Sequence, residues 1–432
     1  MANDHNQYPN RRNRQCQQTS SSIESESASD YCDSDEITIV HTPMMPMMQC
    51  APCGPFPQAN HPPICPKDPC PLQSFCDYGL RQPCHRAPYV DPYLPKREVT
   101  TWTINYLVSN TPAEAAHLDE FLMHPRGIVI YNNQLWVANL MSDKITNYDL
   151  FGNQMLGPIQ IRWNRGTVSF PSGLAVNCGS GFAIAGIGAL GTNAATLMTP
   201  TKTGDLVAYN PLVAPRRGIA VLNSKITGTV SDYTGIAIVG ETVYLANFFQ
   251  GYVDVFNGEY SRIGVPGRMF VDNFSSDPIP GGYAPFNVNY IPPYLYVAYA
   301  EREPGLFVHN NHGLGKGFVS VFGLDGGFIR RFHSRGVLNA PWSVIPAPNE
   351  CGIPPGSVLV NNIGDGFIHI FDCNGNLVGP MLGQSGIPLV ITGIQSMAPY
   401  YTTFSQIFFT SSGDIESKGI VGSLVKSQVI TI

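Results

Sequence analysis

The sequence predicts an all-β chain. A six-bladed β-propeller of four-stranded blades spans residues 99–432, behind an arm without a packed core over residues 1–98. Three observations carry this reading. A fixed spacing recurs: Val137-Ala138-Asn139, Leu245-Ala246-Asn247 and Val360-Asn361-Asn362 are each followed, nine residues after the last Asn, by an aromatic residue, Tyr148, Phe256 and Phe371. In two of them a Gly, Gly127 or Gly235, stands twelve residues before the Asn. From about Thr100 onward, short runs rich in Val, Ile, Phe and Tyr alternate with Gly, Asn and Asp turns, the signature of many strands. The composition agrees, with 43 Gly and 37 Pro and only 13% charged residues, about half the usual charged share.

The arm comes first. Residues 18–36 are rich in Ser, Asp and Glu, and residues 43–95 hold fourteen prolines. Proline at that density removes backbone donors and blocks helices and central strands, so the arm is expected to be disordered or polyproline-like. Eight of the eleven cysteines lie in it: Cys16, Cys32, Cys50, Cys53, Cys65, Cys70, Cys76 and Cys84. Residues 1–15 carry no apolar segment of the kind a secretory signal needs, so cytoplasmic synthesis is expected. A reducing cytosol favours free or metal-bound thiols over disulfides. The set Cys50, Cys53, Cys65 and Cys70 is a candidate zinc site, with disulfides, cross-links between chains and free thiols as the other readings.

Trp102 to Val108 reads as a strand with no unit of its own. It is expected to supply the outer strand of blade six and so to remove an open edge. Six units of about 50 residues follow, the length of one propeller blade. Their opening motifs are Pro125-Arg126-Gly127-Ile128, Pro171-Ser172-Gly173-Leu174, Tyr233-Thr234-Gly235-Ile236, Ala284-Pro285-Phe286-Asn287, Ala340-Pro341-Trp342-Ser343 and Ile391-Thr392-Gly393-Ile394. Within a unit, runs such as Tyr252-Val253-Asp254-Val255-Phe256 and Phe367-Ile368-His369-Ile370-Phe371 are apolar on both faces except for one central polar position. Strands sandwiched between two neighbouring blades require that pattern. Unit four carries a long loop between Tyr299 and Phe322, and Val429-Ile430-Thr431-Ile432 reads as a last short strand.

These motifs carry a resemblance. Leu107-Val108-Ser109-Asn110, Ala115-Ala116-His117-Leu118-Asp119, Pro125-x-Gly127-Ile128, Gly251-Tyr252-Val253-Asp254-Val255-Phe256, Gly282-Tyr283-Ala284-Pro285-Phe286-Asn287 and Leu338-Asn339-Ala340-Pro341-Trp342 occur in that order. Together they resemble a family of functionally uncharacterised bacterial and plant proteins, predicted six-bladed propellers distantly similar to NHL-repeat proteins. The resemblance covers roughly residues 100–425 and implies a fold, not an activity. Arg126 departs from the Pro-Trp-Gly usual in that family, and the arm is not part of its pattern. Such an arm on a propeller would suit a virion-associated protein of a large DNA virus.

The net charge of −6 argues against a nucleic-acid surface. No run of about 18 apolar residues predicts a membrane helix. No P-loop, Gly-x-Ser-x-Gly elbow, HExxH or dinucleotide fingerprint appears. In a meander blade, the loops between second and third strands share one face with the connections between blades. That rule gathers a candidate binding face from His117, Asp119, His124, Asn139, Asn247, Glu301, His309, His312, Asn362 and Asp365. His117 and Asp119 read either as a metal or acid–base pair or as loop-fixing hydrogen bonders. The three Asn residues read either as carbonyl ligands for Ca²⁺ or as turn residues. Cys351 and Cys373 fall in two turns of one blade and are a candidate disulfide. The leading expectation is a non-enzymatic binding or structural module with a protein partner. The alternative is a metal-dependent hydrolase or lactonase of the NHL-like type, with Ca²⁺ or Zn²⁺ at the channel mouth.

Overall fold

Apolar runs bounded by Gly and Asn turns fold here into antiparallel meanders set around a common axis. The computed structural model describes residues 98–431, apart from 162–167, 187–189, 224–227, 305, 349–351, 402–405 and 416. The arm, with its candidate zinc ligands, and Cys351 therefore lie outside the described residues. All described elements are strands, and they form the expected six blades.

Blade one contains Pro125–Tyr131, Gln134–Asn139, Lys144–Asp149 and Gln154–Gln160. Blade two contains Ala175–Val176, Leu197–Pro200, Leu206–Tyr209 and Ile219–Leu222. A small hairpin, Ala183–Ala185 with Thr192–Ala194, is inserted after its first strand and accounts for the length of this unit. Blade three has three strands, Tyr233–Val239, Thr242–Asn247 and Tyr252–Asn257. Where a fourth was expected, Gly- and Pro-rich chain makes only a bridge from Arg262 to Phe256. Proline cannot donate to a ladder, which explains the loss. Blade four contains Tyr283–Ile291, Tyr294–Glu303, Phe318–Phe322 and Phe328–Ser334. Blade five contains Pro341–Pro346, Val358–Asn362, Ile368–Phe371 and Leu377–Pro380.

Blade six contains Ile394–Tyr400, Gln406–Ser411 and Ile420–Thr431, and its outer strand is Glu98–Ser109. That strand pairs antiparallel with Ile420–Thr431, from Glu98 opposite Thr431 to Ser109 opposite Ile420. The first strand of the domain thus closes the ring, as expected. Two details differ from the sequence reading. Leu424-Val425 and Val429-Ile430 belong to one long strand rather than two. The opening motif is shifted by three residues in blade six, where Ile394 pairs with Ser411 as Pro125 pairs with Asn139, and by one residue in blades four and five, where Pro285 and Pro341 take that place. Gly393, at φ +67°, belongs to the turn before the strand.

Six buried clusters fill the gaps between neighbouring blades. Blades one and two meet through Trp136, Ile145, Leu174 and Tyr209. Blades six and one meet through Val108, Val137, Tyr148 and Phe408. The other four interfaces repeat the arrangement around the ring. Because each middle strand feeds two such clusters, both its faces are apolar. The polar position inside the third strands is filled by hydrogen-bonded groups. Asn139 Nδ2 donates to Thr146 Oγ1 at 3.0 Å, and Asn247 Nδ2 donates to Asp254 Oδ2 at 2.9 Å. In blades one and three the repeated Asn therefore clasps the strand that follows it, whereas Asn362 of blade five donates to the Val337 carbonyl and to Asp365.

The opening glycines set the approach of the innermost strands. A Cβ on Gly127 would lie 2.6 Å from the backbone carbonyl carbon of Gly173, and one on Gly235 would lie 2.1 Å from Asn287 Oδ1. Gly127→Ala must push two blades apart, at a cost of about 1–3 kcal/mol, and should lower the melting temperature by several degrees. Gly281→Ala, which adds its methyl to open space, should leave it unchanged. Equal melting of the two variants would show that the innermost strands are not packed backbone to backbone.

Candidate functional site

The innermost strands line an axial channel of about 430 Å³. Ile128, Leu174, Ile236, Val288, Val344 and Met397 contribute one apolar residue per blade to its wall, which Asn287, Asn289, Ser343 and Ser396 interrupt. The residue after the position matching Pro125 in each innermost strand stands at the channel end where these strands begin: Arg126, Ser172, Thr234, Phe286, Trp342 and Gln395. The Arg126 guanidinium lies 5.5 Å from the centroid of the Trp342 ring in blade five, a cation–π contact. Phe286 packs edge-on against Trp342 at 4.8 Å and against Phe248 at 5.1 Å. Lys202 Nζ is 2.9 Å from Asp232 Oδ2. Burial lowers the Lys202 pKa, Asp232 opposes that, and the positive field of Arg126 adds to it. The rim thus joins two cations, one carboxylate and an aromatic cluster. Sequence reasoning noted Arg126 only as a departure from a motif and did not single out Lys202, Asp232 or Trp342. Their meeting depends on ring closure, not on spacing.

The predicted face residues separate into distinct groups. Asp119 is buried: its Oδ1 accepts from the Phe121 amide at 2.8 Å and its Oδ2 from the Tyr148 hydroxyl at 2.7 Å. Beside this carboxylate, burial first and then its charge push the Tyr148 pKa well up. His117 pairs with Val108 at the outer strand of blade six and lies against Gly152, with no hydrogen bond to Asp119. The two therefore do not form a pair. His124 is buried beneath the connection into blade one. Asn139, Asn247 and Asn362 are fully buried in three separate blades. Asn247 and Asn362 use both ends of their amides on protein groups, Asn362 accepting from the Asn339 amide at 3.1 Å and donating to the Val337 carbonyl at 2.7 Å. Asn139 donates to three acceptors, and its Oδ1 has no partner among the described residues.

Glu301, Asn362 and Asp365 are tied into the base of the blade-four loop, while His312 Nδ1 lies 3.2 Å from Asn310 Nδ2. The long loop of blade four is in fact a β-hairpin: Tyr294–Glu303 runs past its blade and Leu306–Asn311 pairs back on it, Glu301 opposite Asn311. Glu301 Oε2 accepts from Asn311 Nδ2 at 3.0 Å and from Lys316 Nζ at 2.9 Å. Asn339 then bridges the hairpin base to blade five, accepting from the Gly313 amide at 2.7 Å and donating to Asp365 Oδ2 at 3.0 Å. Arg302 Nη1 ties the other side to the Phe249 carbonyl at 3.0 Å. The backbone of His309 belongs to this hairpin. Cys373 is in a disulfide, and so is Cys178. Among the described residues, no three His, Cys, Asp or Glu side chains converge as metal ligands, and no helix is long and apolar enough to cross a membrane.

No protein-family model matches the chain. Uncharacterized protein L690 of Acanthamoeba polyphaga mimivirus is 51% identical over 382 residues, covering 88% of this chain and 97% of its own length. Uncharacterized protein R648 of the same virus is 50% identical over 364 residues, 84% of this chain and 90% of its own. The chain belongs to this giant-virus family. Both matches are longer than the propeller, so the family shares part of the arm. Solved propellers are similar only at a distance. A Bacteroides thetaiotaomicron protein of unknown function has a TM-score of 0.48 at 10% identity over 77% of each chain. A virginiamycin B lyase from Staphylococcus aureus has a TM-score of 0.43 at 10% identity over 76% of this chain and 99% of its own.

Proposed function

We propose that this member of the giant-virus family is a non-enzymatic binding or structural module of a particle or assembly. Its loop face holds a protein partner, and the blade-four hairpin is the main contact. The observation that carries this reading is the hairpin itself. It extends past its blade, presents strand edges, and is fixed at its base by Lys316, Asn311, Arg302 and Asn339. An edge already ordered before contact loses less entropy on association, and β-strand addition is a common mode of peptide capture. The metal-dependent hydrolase reading is less favoured. Arg126 stands close enough to Lys202 for its charge to be felt there, beside the Lys202–Asp232 pair, a field that opposes a divalent cation.

The test compares two variants of the full chain in capture from purified particles. Replacing residues 303–308 by Asn-Gly should leave the melting temperature unchanged and abolish capture of the partner. Asn374→Ala, in a turn between third and fourth strands on the opposite face, should leave capture intact. Equal behaviour of the two variants would remove support for the loop face. Stoichiometric Ca²⁺ or Zn²⁺ in the purified protein would favour the hydrolase instead.

A further inference from the structure

We propose that the loop-face end of the axial channel binds the carboxylate of a small amphiphile, whose apolar body lies in the channel along blades one to three.

A collar of contacts surrounds that end. Arg126 of blade one lies 5.5 Å from the Trp342 ring of blade five. Trp342 meets Phe286 of blade four at 4.8 Å, and Phe286 meets Phe248, just after the second strand of blade three, at 5.1 Å. The Phe248 amide donates to the Asp232 carbonyl at 2.9 Å. Asp232 Oδ2 accepts from Lys202 Nζ of blade two, also at 2.9 Å. The charge of Arg126 is felt in turn at Lys202. The series begins on one cation and ends on the other.

Among the described residues, the collar carries two cations and one carboxylate. The Asp232 side chain is 2% exposed and that of Lys202 24%, and charges withdrawn from water in this way are screened less. Asp205, in the turn after Lys202, accepts instead from the Thr203 hydroxyl at 3.3 Å. Two like charges held near each other disfavour each other. An anion placed between them relieves that repulsion, and partial burial strengthens its attraction to both. A carboxylate suits the pair, because a guanidinium offers it a planar fork and an ammonium adds further donors.

The channel behind the collar selects the rest of the ligand. Trp342 lines it, and so do Gly127 and Gly173, the residues after Arg126 and Ser172. Blades one to three line it with residues 128–130, 174–176 and 236–238, all of them aliphatic. The side-chain amides and hydroxyls stand on blades four to six, where Asn287 and Asn289 both donate to the Trp342 carbonyl at 3.2 Å. The part of the wall that belongs to the blades of Arg126 and Lys202 is therefore the apolar part. None of the described lining residues is charged, so the collar supplies the counter-charge for an anion. A volume of about 430 Å³ is that of a small-molecule site. The site is independent of the blade-four hairpin and of a partner held there.

The test is isothermal titration of the full chain with sodium octanoate, sodium hexanoate, 1-octanol, octylammonium and inorganic phosphate. Octanoate should saturate a single site per chain. Hexanoate, shorter by two methylenes, should bind about fifteenfold more weakly, at about fourfold per methylene. Octanol and octylammonium keep the body and change the head, and each should bind about tenfold more weakly than octanoate or worse. Phosphate, which lacks the body, should also bind more weakly than octanoate. Arg126→Gln should weaken octanoate about tenfold and leave octanol unchanged, a split that a loss of channel shape does not produce. If Arg126→Gln does not fold, the five probes on the wild-type chain decide alone. Absence of saturable octanoate binding overturns the proposal. So does equal binding of octanoate and octanol, equal binding of octanoate and hexanoate, or phosphate binding as tight as that of octanoate. A folded Arg126→Gln chain that binds octanoate like the wild type, or that loses octanol along with it, overturns it too.

Discussion

A chain that begins at Asn110 should lose cooperative unfolding near the wild-type temperature, while one that begins at Arg97 should melt like the full chain under reducing conditions. The difference between the two is the strand Glu98–Ser109, the fourth strand of blade six. Its removal strips Trp102 and Val108, which are 2% and 0% exposed, from the clusters beneath them. It also bares a long row of backbone donors and acceptors on Ile420–Thr431. Each of those two side chains contributes about 1.5–3 kcal/mol by burial. Together with the lost ladder, that rivals the roughly 5–15 kcal/mol by which a domain is stable at all. Circular dichroism melts of both chains in reductant decide it. Equal transitions would mean that the ring does not depend on this strand.

Replacing Asp272 should have the largest effect of any single side chain named here. Asp272 lies in the irregular chain after blade three and reaches Arg331 in the fourth strand of blade four at 2.8 Å. Both side chains are buried, 6% and 4% exposed. Arg331 Nε also bonds Ser320 Oγ at 3.0 Å, and the Ser320 hydroxyl donates to Asp272 Oδ2. This network stands where a fourth strand of blade three would otherwise join the two blades. Among the described residues, Asp272→Ala leaves a buried guanidinium with only Asp277, 3.6 Å away, as a neighbouring carboxylate. Breaking such a pair costs about 3–5 kcal/mol, or a fall in melting temperature of roughly 4–7 °C for a domain of this size.

The same residue sets an acid limit. Burial alone would raise the Asp272 pKa, but hydrogen bonds from Arg331, Ser320 and the Phe274 amide hold it below 3.8. A carboxylate depressed in the native state contributes stability that is fully present above 3.8. That contribution is lost as pH falls through the lower native value. Wild-type stability should therefore drop more steeply below pH 4 than that of Asp272→Asn, with both flat near pH 7. Parallel curves would show that the Asp272 charge does not contribute.

Much of this protein was legible in its sequence because blade strands are local objects. Burial on both faces writes itself as an apolar run. The Asn that clasps the next strand recurs seven residues before its partner, as Asn139 does for Thr146 and Asn247 for Asp254. The closing strand stood out because Trp102 to Val108 had strand character and no unit to join. Pairing alone decided the register of blade six, since Ile391-Thr392-Gly393-Ile394 imitates Tyr233-Thr234-Gly235-Ile236 in letters but not in position. Pairing also turned the blade-four loop into a hairpin. Tertiary structure alone separated His117 from Asp119, buried the three Asn amides, and brought Arg126 of blade one over Trp342 of blade five. Local sequence records which side chains are buried and how far each strand runs. Which groups face one another across the channel is fixed only when six blades close into a ring, and that is a property of no single segment.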